Sequence, residues 1–128
     1  MAAFESITTR KSWYAGEALS AYTGVQYGTD GRFAKADGTR PFAGIVQYGC
    51  DAAGEMVTVV DGMFPTTASG AVTAGALITV DATVPGKFKV AVEGTTVYGV
   101  AMTAAAAGET FTLAMLPVTF AIATAPAG

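Results

Sequence analysis

Phe42-Ala43-Gly44-Ile45-Val46, followed by Ala52-Ala53-Gly54-Glu55-Met56-Val57-Thr58-Val59, decides the fold because it returns. Val97-Tyr98-Gly99-Val100-Ala101 stands 55 residues later, and Ala106-Ala107-Gly108-Glu109-Thr110-Phe111-Thr112-Leu113 follows at an offset of 54. Gly31-Arg32-Phe33 is matched by Gly86-Lys87-Phe88 at the 55-residue offset, and Ala15-Gly16-Glu17-Ala18-Leu19 resembles Ala74-Gly75-Ala76-Leu77. Different residue types agree in the same order. Two units of about 45 residues are too few for a solenoid, which needs three or more. They fit one domain with approximate internal two-fold symmetry and a shared core.

The residues around these motifs read as strands. Met56–Val60 and Leu77–Val80 are short and β-branched, and Lys87–Val92 alternates Phe88, Val90 and Val92 with Lys87, Lys89 and Ala91. That alternation suits a strand with one wet face. Arg32–Ala36, Phe42–Tyr48, Val97–Met102, Thr110–Leu116 and Val118–Ala123 complete the set. Asp37-Gly38, Asp61-Gly62, Pro85-Gly86 and Glu93-Gly94 read as turns between them. No stretch carries an apolar stripe at helical spacing. The expected architecture is all-β: a compact barrel or sandwich built from two similar β-rich repeats, units about 15–60 and 74–115. It forms a single domain over 15–128, preceded by an extended N-terminal arm over 1–14.

Composition excludes most chemistry. The 128 residues contain no His and one Cys. The usual general base and metal ligand are therefore missing, and no disulfide can close within the chain. No metal and no cofactor are expected. A net charge of −3 argues against nucleic acid as a partner, since phosphate binding needs a positive surface. No run of about 18–20 strongly apolar residues spans a bilayer as a helix, and the start MAAFESITTRK lacks the pattern of a secretory signal. These features lead us to expect a protein made in a reducing cytoplasm, with Cys50 a thiol and no membrane partner. A mean hydropathy of +0.45 is high for a small monomer, so apolar surface belongs either to a generous core or to contacts with other chains.

Candidate chemical groups read as structural. Glu55 and Glu109 hold equivalent places, and paired carboxylates can do acid–base work. The simpler reading is that each starts a strand after a glycine turn and points to solvent or a Lys. Gly44, Gly54, Gly99 and Gly108 belong to the same repeated strand and turn motifs. Cys50 has no imidazole to activate it. Gly28-Thr29-Asp30-Gly31 lacks the ending of a phosphate loop, and the aspartates lack EF-hand spacing.

The two ends stand apart from the repeat. Met1–Tyr14 carries Arg10, Lys11, Trp13 and Tyr14. It reads either as a basic–aromatic arm that pairs with another protein or as a first strand with Trp13 in the core. The charge-free Pro117–Gly128 segment reads either as a subunit contact or as the last core strand.

With its His-free Ala/Gly/Thr-rich β composition and its paired Gly44…Ala52-Ala53-Gly54-Glu55 and Gly99…Ala106-Ala107-Gly108-Glu109 units, the chain resembles the capsid decoration (head-stabilising or cement) proteins of tailed bacteriophages. The resemblance covers roughly residues 15–115. It implies a non-enzymatic virion protein on the capsid exterior, made in the host cytoplasm, that binds the major capsid protein and bridges capsomers. It also implies self-association, as a trimer, and an N-terminal arm that orders on the shell. Arg10, Lys11, Trp13 and Tyr14 are then the expected capsid-binding residues, and deleting residues 1–14 is expected to abolish binding while sparing the fold. The other readings are a carbohydrate-binding or adhesive β module, weakened by the absence of Asn, and another virion subunit such as a tail-tube protein.

Overall fold

The computed structural model describes residues 5–123. The strands are β1 (Ser6–Tyr14), β2 (Gly24–Tyr27), β3 (Phe33–Lys35), β4 (Phe42–Tyr48), β5 (Met56–Thr67), β6 (Leu77–Val80), β7 (Phe88–Val90), β8 (Thr96–Ala101) and β9 (Thr110–Ala121). They join in the order β3-β2-β4-β5-β9-β8-β6-β7, with β1 added to β5. Every pairing between these strands is antiparallel, and the sheet curls as a half-barrel. The all-β class expected from sequence is the class observed.

The two halves of the chain make parallel sets of bonds. Val25 faces Lys35 and Tyr27 faces Phe33 across β2–β3; Ile78 faces Val90 and Val80 faces Phe88 across β6–β7. Gly24 faces Ile45, which faces Val60; Leu77 faces Val100, which faces Ala114. Ala15 donates to the Glu55 carbonyl and accepts from Gly54, and Ala68 does the same with Glu109 and Gly108. The backbone partners of Ala15 thus reappear at Ala68, not at Ala74. Gly75 instead matches Tyr22: each donates to the strand opposite, to Ala101 and Val46 respectively.

Two apolar clusters fill the two faces of the curled sheet. One gathers Ala15, Leu19, Val25, Phe33, Ala43, Val46, Val57 and Val59. The other gathers Ala68, Val72, Ile78, Phe88, Tyr98, Ala101, Phe111 and Leu113, and adds Ile45, Val60 and Phe64 from the first half. Successive side chains of a strand point to opposite faces, so β5 feeds Val57 and Val59 into one cluster and Val60 into the other. At Val59-Val60 the strand is buried on both faces, as two successive apolar residues require, whereas Met56 and Thr58 lie on a more open part of one face.

Several elements differ from the sequence reading, among them β2, which it did not contain. Asp61-Gly62 does not end a strand, because β5 runs through it to Thr67. Gly62 takes φ +101° opposite the register shift between Ile7 and Arg10, so the chain bends without reversing. Pro117 lies inside β9. It falls between Met115 and Phe120, where the register against Gly99 and Val97 slips and no ladder bond needs its missing N–H. The residues Ser6–Tyr14, read from sequence as an arm or as a first strand, pair with Met63–Met56 of β5 as a strand, with Trp13 outside the core.

Gly44 and Gly99 are where β4 and β8 lie close on the long strands. A Cβ on Gly44 would run into the Val60 carbonyl oxygen, and one on Gly99 would stand 2.5 Å from that of Ala114. Gly44→Ala and Gly99→Ala should each lower the unfolding free energy by roughly 1–3 kcal/mol. Gly70→Ala, whose Cβ meets nothing within 4 Å, should stay within about 0.5 kcal/mol. Urea titration followed by circular dichroism compares the three, and equal effects would refute the close-approach argument.

Asp81, buried after β6, accepts from Ser69 Oγ at 2.7 Å, Thr83 Oγ1 at 2.7 Å and Thr83 N at 2.9 Å. The Ser69 bond, then the Thr83 bonds, outweigh burial and lower its pKa from 3.8 to about 2, with help from the Lys89 charge. A folded-state pKa below the unfolded one stabilises the fold above the unfolded value and loses that contribution as pH falls through the folded value. Thermal melts should therefore drop more steeply between pH ~4 and ~2 in the wild type than in Asp81→Asn. Identical acid slopes would contradict this assignment.

Candidate functional site

β1 gathers the sequence-predicted contact residues on one edge-proximal strand. From Arg10 to Tyr14 it pairs without a break against Val60–Met56, so Lys11 and Trp13 share one face and Arg10, Ser12 and Tyr14 the other. The strand is largely exposed. Trp13 faces Val57 yet is 52% exposed, so it lies at the margin of the core and not in it.

The two cations are already engaged within the chain. Arg10 Nε donates to Gln47 Oε1 at 2.9 Å. Lys11 Nζ lies 3.7 Å from Asp61 Oδ2 and 5.6 Å from the Tyr27 ring centroid. Asp61 also accepts from Thr9 Oγ1 at 2.9 Å. Such exposed ion pairs contribute about 0–1 kcal/mol, so Lys11 can exchange its partner at little cost. Trp13 and Tyr14 meet edge to face, ring centroids 5.2 Å apart.

Tyr14 belongs to a larger surface that crosses β1, β5 and β4. Tyr14 faces Met56, and in the next row Ser12 faces Thr58, which faces Tyr48. Ser12 and Thr58 hydroxyls bond at 3.0 Å. Tyr48 is 66% exposed and Met56 54%. Sequence reasoning assigned neither residue to capsid binding. The alternation of Met56 and Thr58 with buried Val57 and Val59 signals the exposure of Met56. Nothing local to Tyr48 shows that β4 sets it beside β5.

The repeated motifs are structural. Gly54 and Gly108 turn with φ +87° and +84°. Glu55 Oε1 accepts from the Asp51 and Ala52 amides at 2.9 and 2.8 Å, and Glu109 Oε1 from the Ala106 amide at 2.8 Å. Each carboxylate folds back through one oxygen to cap its own turn, and both residues remain exposed to solvent. Cys50 is half-buried, its Sγ 3.6 Å from the Glu17 carbonyl. Among the described residues no three metal-ligating side chains converge, and no helix is long and apolar enough to cross a membrane.

An open groove of about 930 Å³ lies where β9 parts from β5, lined by Phe42, Tyr98, Met115, Pro117, Asp61 and Arg40 among others. Burial, and then the Asp37 charge, raises the pKa of the Tyr98 phenol above its ordinary value, and the groove mixes apolar walls with Lys11, Arg40, Asp61 and threonine hydroxyls.

No curated protein matches the chain. Among solved structures it is similar to the head fiber gp8.5 N base in bacteriophage phi29. The TM-score is 0.65 at 21% identity, covering 84% of this chain and 95% of that one; at that identity the likeness concerns the fold. The family of phage cement proteins matches residues 7–117, a span that touches all nine strands. The chain therefore belongs to the phage cement protein family and is a structural protein of the phage particle.

Proposed function

We propose that this protein binds the outer surface of the phage head through β1 and its neighbours, contacts the major capsid protein and bridges capsomers without catalysis. The observation that carries this reading is the exposed Tyr14–Met56–Tyr48 surface beside Trp13, on a chain of the cement family. Tyr and Trp offer large contact area at low entropic cost and dominate protein interfaces. Residues 15–128 act as one β domain of two similar units, supported by the matched bonds of its halves. The molecule acts as a homo-oligomer, a trimer in the reading most consistent with its family. Any free energy with which it binds the assembled shell and not separated capsomers stabilises the shell by linkage.

Removal of residues 1–14 is a poor test, because it also strips β5 of its β1 partner. Surface substitutions separate binding from folding. Tyr14→Ser, Tyr48→Ser and Met56→Ser, combined, should weaken pelleting with undecorated heads at least tenfold, since each 1.4 kcal/mol is a factor of about ten. Their circular dichroism should match the wild type. Undiminished pelleting of the folded triple variant, or failure of the wild type to pellet with heads, would reject the reading.

A further inference from the structure

The outer edge of β1 is open. The Ala15 amide donates to the Glu55 carbonyl, so Ala15 faces β5, and the pairing runs unbroken from there back to Arg10. In an antiparallel pair, successive residues turn their N–H and C=O alternately toward the partner and away from it. Lys11 and Trp13 therefore bond to β5, and Arg10 and Ser12 turn their N–H and C=O outward. Among the described residues nothing takes up these groups: β1 pairs with β5, and β3 meets this edge only past its end, where the Gly16 amide donates to the Phe33 carbonyl.

Other edges are blunted, as those of native sheets commonly are. β3 and β7 have three residues each. Pro117 interrupts the part of β9 that extends past β5. The second half of β5 matches β1 in its pairing: Thr67 faces Thr110 and Pro65 faces Thr112, as Tyr14 faces Met56 and Ser12 faces Thr58. The Ala68 amide donates to the Glu109 carbonyl, so the same alternation turns Pro65 away from β9, where a residue without an N–H suits an edge. In β1 that place belongs to Ser12, whose N–H is intact.

We propose that this edge takes an extended segment of the major capsid protein as an added strand, with an acidic side chain of that segment beside Arg10 and Lys11. Outward N–H and C=O groups at alternate residues are met by the backbone of an extended chain. Charge selects its source. Arg10 and Lys11 are adjacent cations on a chain of net charge −3. Arg10 bonds to the neutral Gln47, and the surface contact between Lys11 and Asp61 at 3.7 Å holds Lys11 only weakly. A second copy's β1 would bring two more cations to the edge, whereas an acidic segment neutralises those present. Position agrees with charge. Arg10 and Ser12 share a face with Tyr14, Met56 and Tyr48, so a strand added here widens the sheet that carries the surface assigned above to the head. The proposal rests on that reading and states how the partner is held.

The probe is the undecorated head. Ser12→Pro removes the outward N–H, and the chain already accepts proline at the matching place in β5. This variant should pellet with heads at least about tenfold more weakly, with circular dichroism and light scattering unchanged. Ser12→Ala, which keeps the N–H, should pellet as the wild type does. Arg10→Glu combined with Lys11→Glu should also weaken pelleting. In the wild type, hydrogen exchange followed by mass spectrometry should slow at Arg10 and Ser12 when heads are bound, while the paired Lys11 and Trp13 amides exchange slowly in both states. That measurement decides the matter if Ser12→Pro does not fold. Full pelleting of folded Ser12→Pro, unslowed exchange at Arg10 and Ser12, or full pelleting of the double glutamate variant overturns the proposal. So does loss of self-association in Ser12→Pro, which would seat a second copy on the edge. A wild type that does not pellet sinks the cementing role and this contact with it. A wild type that pellets while Arg10 and Ser12 still exchange sinks the added strand alone.

Discussion

Both edges of β5 are hydrogen-bonded, and the rest of the structure depends on that. Its first half holds β1 on one edge and β4 on the other, through Val60, Val59 and Thr58; its second half holds β9 from Met63 to Thr67. The same strand gives side chains to both apolar clusters. The two halves of the chain are therefore not separate bodies touching at a surface. They share a backbone segment, and unfolding either one strips ladder bonds from the other. The bend at Gly62 makes the sharing possible, because β5 must leave one set of partners and meet another within a single strand.

A second tie carries visible strain. Tyr22 is the one non-glycine described with positive φ, at +71°, where its counterpart Gly75 adopts the same sign without a Cβ penalty. Such a conformation costs on the order of 1 kcal/mol or more, and persists only if its surroundings over-determine it. Here they do. The Tyr22 carbonyl accepts from buried Thr66 Oγ1 at 2.7 Å, and its ring stacks 5.9 Å from that of Phe64. Both partners lie on the second half of β5. The loop after β1 is thus pinned to the strand that the other half of the chain also uses.

What the sequence made legible follows from period and local turn chemistry. Phe42–Tyr48 and Leu77–Val80 are strands with the bounds their β-branched runs suggest. Alanine, glycine and glutamate in repeated turns marked the Glu55 and Glu109 caps, though not the direction of their carboxylates, which depends on amides three and four residues upstream. Asp61-Gly62 looked like a turn because glycine with aspartate usually is one; only the bulged partner β1 shows that it bends a continuous strand. For β1 the sequence left an arm and a first strand both open, for a physical reason. Ile7 aside, Ser6–Tyr14 buries little, so it lacks the alternation that betrays a half-buried strand, and its place is set by backbone bonds to β5. The candidate surface was half legible. Trp13 and Tyr14 are adjacent in sequence, whereas Tyr48 joins them only through pairing across three strands.

The arrangement of that surface bears on how a structural protein of the phage particle can act. Binding costs entropy when flexible side chains must be fixed, and pre-ordering reduces the cost. Tyr14, Met56 and Tyr48 project from paired strands whose backbones are already held, with the Ser12–Thr58 bond between their rows. Arg10, the longest neighbour on that face, is already tied to Gln47. Deeper along the same strands, Ile45 and Val60 are sealed beneath the second half of the chain. One face of β4 and β5 therefore serves two ends: its inner part holds the halves together, and its outer part remains rigid, apolar and open. A structural protein of a particle needs that division, since a surface that shifted to complete its own core would have no area left with which to hold a neighbour.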